Sequence, residues 1–316
     1  MTHQEAAHFL SQHDNYLILT HKRPDGDTIG CGAGLCHLLR TMGKTAWLLP
    51  SLDATSLFRE YLDGVEAPEG YTPDTVVSVD VAARGLFPPN AQPYLERIDL
   101  AIDHHPSQEF FAQNTCLEAD KAACGEIVWE IAQDLGVMNE AIATPLYVAV
   151  STDTGCFVYA NTTPHTHRVA AGLMEQGINF QRLNKKHFRT KSVARMKLES
   201  LLLQGLHLCH DNTVAVATLS LDVMEQAGAT NDDTEDIAAF VGQLEGLLHS
   251  ATIREMKPGE CKISLRTNAN YLDASAVCAH LGGGGHKAAA GCTVMGSVAE
   301  AKAAILQAID QELNRN

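Results

Sequence analysis

Short apolar runs along the chain alternate with longer stretches in which apolar positions recur at helical spacing. Residues 16–20 (YLILT), 46–49, 76–79 and 100–102 read as buried strands, because runs this short, bounded by polar or turn-forming residues, match strand length rather than helix length. The segments between several of them are long enough for crossover helices, so the alternation predicts a mostly parallel sheet with helices packed on it. Residues 126–135 carry Ile127, Val128, Ile131 and Leu135 on one helical face, and 141–151 read as a second helix.

The pattern continues differently in the second half. Residues 213–219 read as a strand, 234–248 as a helix opened by Thr234 with Glu235 and Asp236 in its first turn, 261–266 as a strand, and 274–281 and 298–313 as helices. Between the halves, Lys185, Lys186, His187, Arg189, Lys191, Arg195 and Lys197 concentrate positive charge in an otherwise acidic chain. A length of 316 residues exceeds the usual span of one core. The expected architecture is α/β: a mostly parallel-sheet domain over 1–182, a linker helix over 183–205, and a smaller α/β domain over 206–316.

Composition narrows the function classes. With 45% hydrophobic and 19% charged residues the chain can bury a core rather than stay disordered. Residues 1–14 lack the basic start and apolar stretch of an export signal, and no run reaches the roughly 18 apolar residues of a membrane span. Nine scattered cysteines without a C-x-x-C pair fit small buried hydrophobes in a reducing compartment, so a cytoplasmic location is expected. The net charge of −15 argues against long duplex DNA, which is bound through phosphate neutralisation. It leaves room for a short anionic ligand if several carboxylates hold cations.

Candidate chemistry gathers where predicted strands end, the edge at which open α/β sheets bind ligands. His21, Asp25 and Asp27 follow the first strand in His21-Lys22-Arg23-Pro24-Asp25-Gly26-Asp27. A turn of this kind can aim two carboxylates and an imidazole at adjacent cations, although Asp27 could equally cap the next helix. Asp80 ends the run 76–79, and Asp103-His104-His105 follows 100–102. There both imidazoles can face a cleft while the Asp orients a ring. Asp153, in Ser151-Thr152-Asp153-Thr154-Gly155, follows a helical run and would otherwise read as a surface carboxylate. Each cluster alone has an ordinary structural reading. Together they point to a centre of divalent cations.

The set H-x-x-P-D-x-D, a strand-end Asp, D-H-H and T-D-T-G, in that order, resembles the four motifs of the DHH phosphoesterase superfamily. In the second half, Arg266 and the run Gly282, Gly283, Gly284, Gly285, His286, Lys287 resemble the DHH-associated domain of the first type; Thr267 stands where a serine is common. The glycines allow amide groups to approach an anion closely, beside donors on His286 and Lys287, although a flexible linker or helix cap is the plain alternative. The whole resembles the subgroup of short bacterial nano-RNases and pAp phosphatases.

That resemblance implies a first ion on His21, Asp25 and Asp80 and a second on Asp27, Asp80, His104 and Asp153. Asp103 would stand behind the ligands, and His105 would face the scissile phosphate. Arg266, Gly283, Gly284, Gly285 and His286 would hold the nucleotide end of the substrate, with the active site in the cleft between the domains. Two divalent ions, Mn²⁺ first with Mg²⁺, Co²⁺ or Zn²⁺ as alternatives, can activate a water for in-line displacement. The implied substrates are very short oligoribonucleotides and 3'-phosphoadenosine 5'-phosphate (pAp). Cyclic or linear dinucleotides (c-di-AMP, pApA, pGpG) are an alternative, and a catalytically silent nucleotide sensor is one of another class. A homodimer is compatible with the sequence, and no membrane partner is expected.

Overall fold

The computed structural model describes residues 1–234 and 236–314. The chain divides into two compact units, Met1–Thr190 and Lys191–Asn316. The first begins with α1 (His3–Gln12), β1 (Tyr16–Leu19), α2 (Gly26–Thr41), β2 (Ala46–Leu48), β3 (Thr75–Val79), β4 (Leu100–Asp103) and β5 (Asn114–Leu117). It continues with α3 (Cys124–Asp134), α4 (Glu140–Asp153), α5 (Pro164–Met174) and α6 (Phe180–Phe188). The five strands are all parallel in the order β2-β1-β3-β4-β5.

Successive strand residues face opposite sides, so the short apolar runs feed two cores at once. Tyr16 and Ile18 pack under the long helices with Ile29, Leu38, Ile131 and Leu146, while Leu17 and Leu19 join Phe87, Ala91 and Leu95 on the other face. A run apolar at every position is what a strand covered on both faces requires.

Helices α2 and α4 approach unusually closely. A Cβ added at Gly26 would lie 2.2 Å from Thr152 Oγ1, and one at Gly30 would lie 2.3 Å from the Pro145 carbonyl oxygen. Gly34 continues the same stripe one turn on, against Leu146. Side-chain-free positions at i, i+4 and i+8 lie on one helical face, and this close approach brings the end of α4 next to the start of α2.

The second unit comprises α7 (Val193–Gln204), β6 (His207–Cys209), β7 (Val214–Leu219), α8 (Leu221–Ala227), α9 (Ile237–Val241), β8 (His249–Lys257), β9 (Glu260–Thr267), α10 (Ala274–Ala279), β10 (Gly284–Gly285), β11 (Ala289–Met295) and α11 (Val298–Leu313). Its mixed sheet runs β10-β11-β9-β8-β7-β6, with only β7 and β8 parallel. Alternation again splits the strands: Val214 and Val216 pack with residues of α10 and α11, Ala215 and Ala217 with Leu198, Ala227 and Ile237.

Two expectations are corrected. The helix expected over 234–248 shrinks to α9, because Gly242 terminates it and Gly246 adopts a left-handed φ of +84° that a helix cannot hold. Glu235, placed in its first turn, lies outside the described residues. The single helix expected over 183–205 is two helices, α6 and α7, separated where Ser192 turns extended and caps α7 through the Arg195 amide. Among the described residues no helix is long and apolar enough to cross a membrane.

Gly30→Ala should destabilise the protein by about 1–3 kcal/mol, since the clash is with backbone. Gly85→Ala, which meets open space, should change stability by less than about 0.5 kcal/mol. Urea denaturation of both variants checks the pair, and equal midpoints would refute the close-contact explanation.

Candidate metal centre

Parallel strands deliver their carboxyl ends to one edge, and in the order 2-1-3-4-5 a crevice opens at the β1/β3 boundary. His21 follows β1 and Asp80 follows β3, while Asp103 closes β4 just before His104 and His105. Asp25 and Asp27 stand at the start of α2, where Asp25 rather than Asp27 is the cap: its Oδ1 accepts from the amides of Asp27 and Thr28 at 3.1 and 3.2 Å. Asp153 is the last residue of α4, brought there by the glycine stripe.

These ends converge. His21 Nε2 lies 3.6 Å from Asp25 Oδ1 and 3.9 Å from Asp80 Oδ2. His104 Nε2 lies 3.8 Å from Asp27 Oδ2, 3.6 Å from Asp80 Oδ1 and 3.8 Å from Asp153 Oδ2. The ligand atoms of His21, Asp25 and Asp80 fall within 4.8 Å of one another, as do those of Asp27, His104 and Asp153. Asp80 touches both groups, so all six residues singled out for metal ligation meet at one place.

The rings are oriented alike. His21 Nδ1 donates to the Lys22 carbonyl at 2.9 Å and His104 Nδ1 to the Lys121 carbonyl at 3.2 Å. A carbonyl only accepts, which assigns the proton of the neutral ring to Nδ1 and turns the Nε2 lone pair toward the carboxylates.

Charge is expensive here. Asp80 is 2% exposed, its Oδ1 has no hydrogen-bond partner, and its backbone sits at a left-handed φ of +57°. Burial, then the charges of Asp27 and Asp25, push its carboxyl far above the ordinary range. Burial and the neighbouring Asp25 charge push Asp27 up to about 6; burial and Asp27 push Asp153 up to about 7. Asp153 also faces the negative end of its own helix dipole. A divalent cation would reverse each of these penalties, and an imidazole-plus-carboxylate donor set suits one.

Asp103, fully buried, does not join the ligand atoms. Its Oδ1 accepts from the amides of His104 and His105 and from His105 Nδ1 at 2.8 Å, and its Oδ2 accepts from Gln108 Nε2 at 2.5 Å. The bond to Asp103 raises the His105 pKa despite the opposing effect of burial. Gln108 also donates to the Val81 carbonyl at 2.8 Å, so it pins this carboxylate to the strand edge. No sequence motif marks Gln108, nor the amides of Cys124 and Gly125 that hold Asp27 at 2.7 and 3.0 Å. His3, Glu118 and Glu130 also cluster, but Lys121 Nζ lies 2.6 Å from Glu130 Oε1 and 3.4 Å from Glu118 Oε2 and already supplies a cation.

In the second unit the glycine run makes a hairpin rather than a linker. A Cβ at Gly283 would meet the Gly291 carbonyl at 2.2 Å, and one at Gly285 the Ala289 carbonyl at 2.6 Å. Gly284 pairs with Gly291 and Gly285 with Ala290, and the turn closes through His286 and Ala289. Ala289, the first residue of β11, is opposite Arg266 on β9, so Arg266 and His286, in the β10–β11 turn, lie at the same end of the sheet, both exposed. The Thr267 hydroxyl donates to the Lys287 carbonyl at 2.9 Å, a bond serine would also make.

Residues 15–150 match the model of the DHH family, N-terminal domain, and residues 211–315 that of the DHHA1 domain. The bifunctional oligoribonuclease and PAP phosphatase NrnA of Thermus thermophilus is 33% identical over 308 residues, covering 94% of this chain and 90% of the relative. The chain belongs to the DHH phosphoesterase family. The enzyme of the same name from Bacillus subtilis is 23% identical over 291 residues, covering 90% and 91%. The crystal structure of an exopolyphosphatase-related protein from Bacteroides fragilis shares the fold at a TM-score of 0.87 and 22% identity, covering 99% of this chain and 96% of that one. DHH phosphoesterases are metal-dependent hydrolases, and the carboxylate and imidazole clusters described above could bind metal.

Carboxyls pushed up to about 6 and 7 keep protons in the folded state that the unfolded chain, near its ordinary 3.8, has released. The native state therefore binds more protons, and the stability of the metal-free DHH protein should fall as pH rises from about 4 to 7. Urea midpoints in EDTA should show this fall, and Asp153→Asn should flatten it; a midpoint that rises across the window in both proteins would contradict the assignment.

Proposed function

We propose that this DHH phosphoesterase hydrolyses very short oligoribonucleotides to mononucleotides and pAp to AMP, using two divalent ions, with Mn²⁺ as the preferred metal, in the cytoplasm. The observation that carries the reading is the convergence of five imidazole and carboxylate ligands, from strand ends and helix ends, around a sixth, the buried carboxylate of Asp80. The names of relatives alike over nearly the whole chain support the substrate class. The net charge of −15 is consistent with a short substrate rather than a long polymer.

In this reading His21, Asp25 and Asp80 hold one ion and Asp27, Asp80, His104 and Asp153 the other. When bound, the ions polarise the phosphoryl group and acidify an attacking water. Asp80 serves both because its two oxygens face different imidazoles, Oδ2 toward His21 and Oδ1 toward His104. Asp103 binds the Nδ1 side of His105 and leaves Nε2 available. With its pKa raised, that ring can donate a proton to the ribose oxygen that leaves as the bond from water to phosphorus forms. Arg266 and His286 grip a second phosphate or the nucleotide end, Arg by a paired contact, on the hairpin that Gly283, Gly284 and Gly285 build; the Gly283 amide is no free donor, since it already bonds the Cys278 carbonyl at 2.9 Å.

Purified protein should release AMP from pAp and mononucleotides from di- to pentaribonucleotides with Mn²⁺, and Asp80→Asn should lower turnover at least roughly a hundredfold. Product analysis by chromatography over time, with c-di-AMP and pGpG in the same panel, decides the substrate. Binding without turnover by the wild type would overturn the enzyme reading in favour of a sensor. Arg266→Ala should raise KM for pAp while leaving kcat nearly unchanged, as expected for a residue that binds ground state and transition state alike.

A further inference from the structure

The four ligands proposed for the second ion come from four elements, yet the short turn that leads into α3 contacts two of them, His104 and Asp27. Between β5 and α3, the Lys121 carbonyl accepts from His104 Nδ1 at 3.2 Å. Three and four residues on, the amides of Cys124 and Gly125 donate to the two oxygens of Asp27. Of the other two, Asp153 ends α4 and makes no such bond to this turn. After it the chain runs through Gly155, Cys156 and Phe157, all left-handed at φ of +56°, +58° and +68°, and folds back on itself. That reversal returns Asn161 to the site. Its Nδ2 donates to the Ala122 carbonyl inside the turn at 3.0 Å and to the Asp153 carbonyl at 3.1 Å.

We propose that Asn161 is a positioning residue for the second ion: its amide fixes the end of α4 against the turn that already holds His104 and Asp27. The assignment rests on the two-ion reading above. The two N–H bonds of one planar NH₂ group diverge at a fixed angle, so both carbonyls are held at a set separation. Ligand distances must fall within about 0.2 Å for a good metal site, a tolerance that a free helix end does not meet unaided. Asn161 is exposed, so removing its donors opens no cavity and leaves the core intact. The turn is itself anchored, since the Ala122 amide donates to the buried Glu126 at 3.4 Å.

The test is Mn²⁺ titration calorimetry on the full chain for wild type, Asn161→Leu and Asp153→Asn, with thermal midpoints in EDTA. Asn161→Leu, of similar volume but without donors, should weaken one of two binding events about 10- to 100-fold and spare the other. Its metal-free midpoint should stay within about 2 °C of wild type. Turnover of pAp at saturating substrate should fall at low Mn²⁺ and recover at high Mn²⁺. If Asp153→Asn loses an event while Asn161→Leu keeps both at wild-type affinity, Asn161 does not position the ligand and the two-ion reading survives. A metal-free midpoint that drops well beyond that range would make the residue a packing element and also overturn the proposal. If Asp153→Asn binds both ions like wild type, the second-ion assignment itself fails.

Discussion

Four carboxylates crowd against two imidazoles where a parallel sheet changes the direction of its connections; burial plus mutual repulsion oppose the ionisation of Asp27, Asp80 and Asp153, while at Asp25 burial is outweighed by His21 and the amides it caps. Asp80 concentrates the problem: it is nearly inaccessible, has an oxygen with no donor, and stands on a strained left-handed backbone. The architecture around it consists of devices that hold the other groups against that repulsion. Glycines on α2 admit α4 close enough to set Asp153 beside Asp27. Amides of Cys124 and Gly125, with the Cys31 thiol at 3.2 Å, donate to the Asp27 oxygens and hold that carboxylate in place. Strain and desolvation of this size persist in a marginally stable protein when a bound partner compensates them.

The supporting contacts divide into two kinds. Main-chain carbonyls of Lys22 and Lys121 take the Nδ1 protons of His21 and His104, which fixes the tautomer and leaves Nε2 facing inward. Asp103, itself steadied by Gln108, does the corresponding work for His105 and so converts a neighbour of the ligands into a ring with a raised pKa. The second unit solves a different problem by different means. Its hairpin of glycines is dictated by backbone crowding, and the exposed Arg266 and His286 at its end are suited to a phosphate-bearing ligand.

Much of this was legible in the chain because strands covered on both faces are apolar at every position, and because the chemical residues follow those strands directly. Tyr16–Leu19, Thr75–Val79 and Leu100–Asp103 correspond to the expected runs within a residue or two. Strand β8 escaped notice because Ser250 and Thr252 are polar yet buried, so its pattern lacks the apolar signature. Helix α1 was hidden in a polar, His-bearing start whose buried face is only Ala6, Ala7 and Leu10. The expected helix over 234–248 failed because Gly246 needs a conformation that side-chain periodicity does not reveal. The basic stretch near residue 190 is partly neutralised in place: Lys186, with Arg182 beside it, meets Glu60, and Lys191 and Arg195 meet Glu199. Least legible were the amides, carbonyls and amide side chains behind the ligands, since any residue has a backbone and nothing in the sequence marks which one is used.

The central claim is that these side chains hold a pair of cations through a shared Asp80. Anomalous diffraction at the manganese edge from crystals soaked in Mn²⁺ tests it most directly. The account requires two peaks roughly 3.5–4 Å apart, one among His21, Asp25 and Asp80 and one among Asp27, Asp80, His104 and Asp153. A single peak, or none, with these side chains turned away from one another, would contradict it.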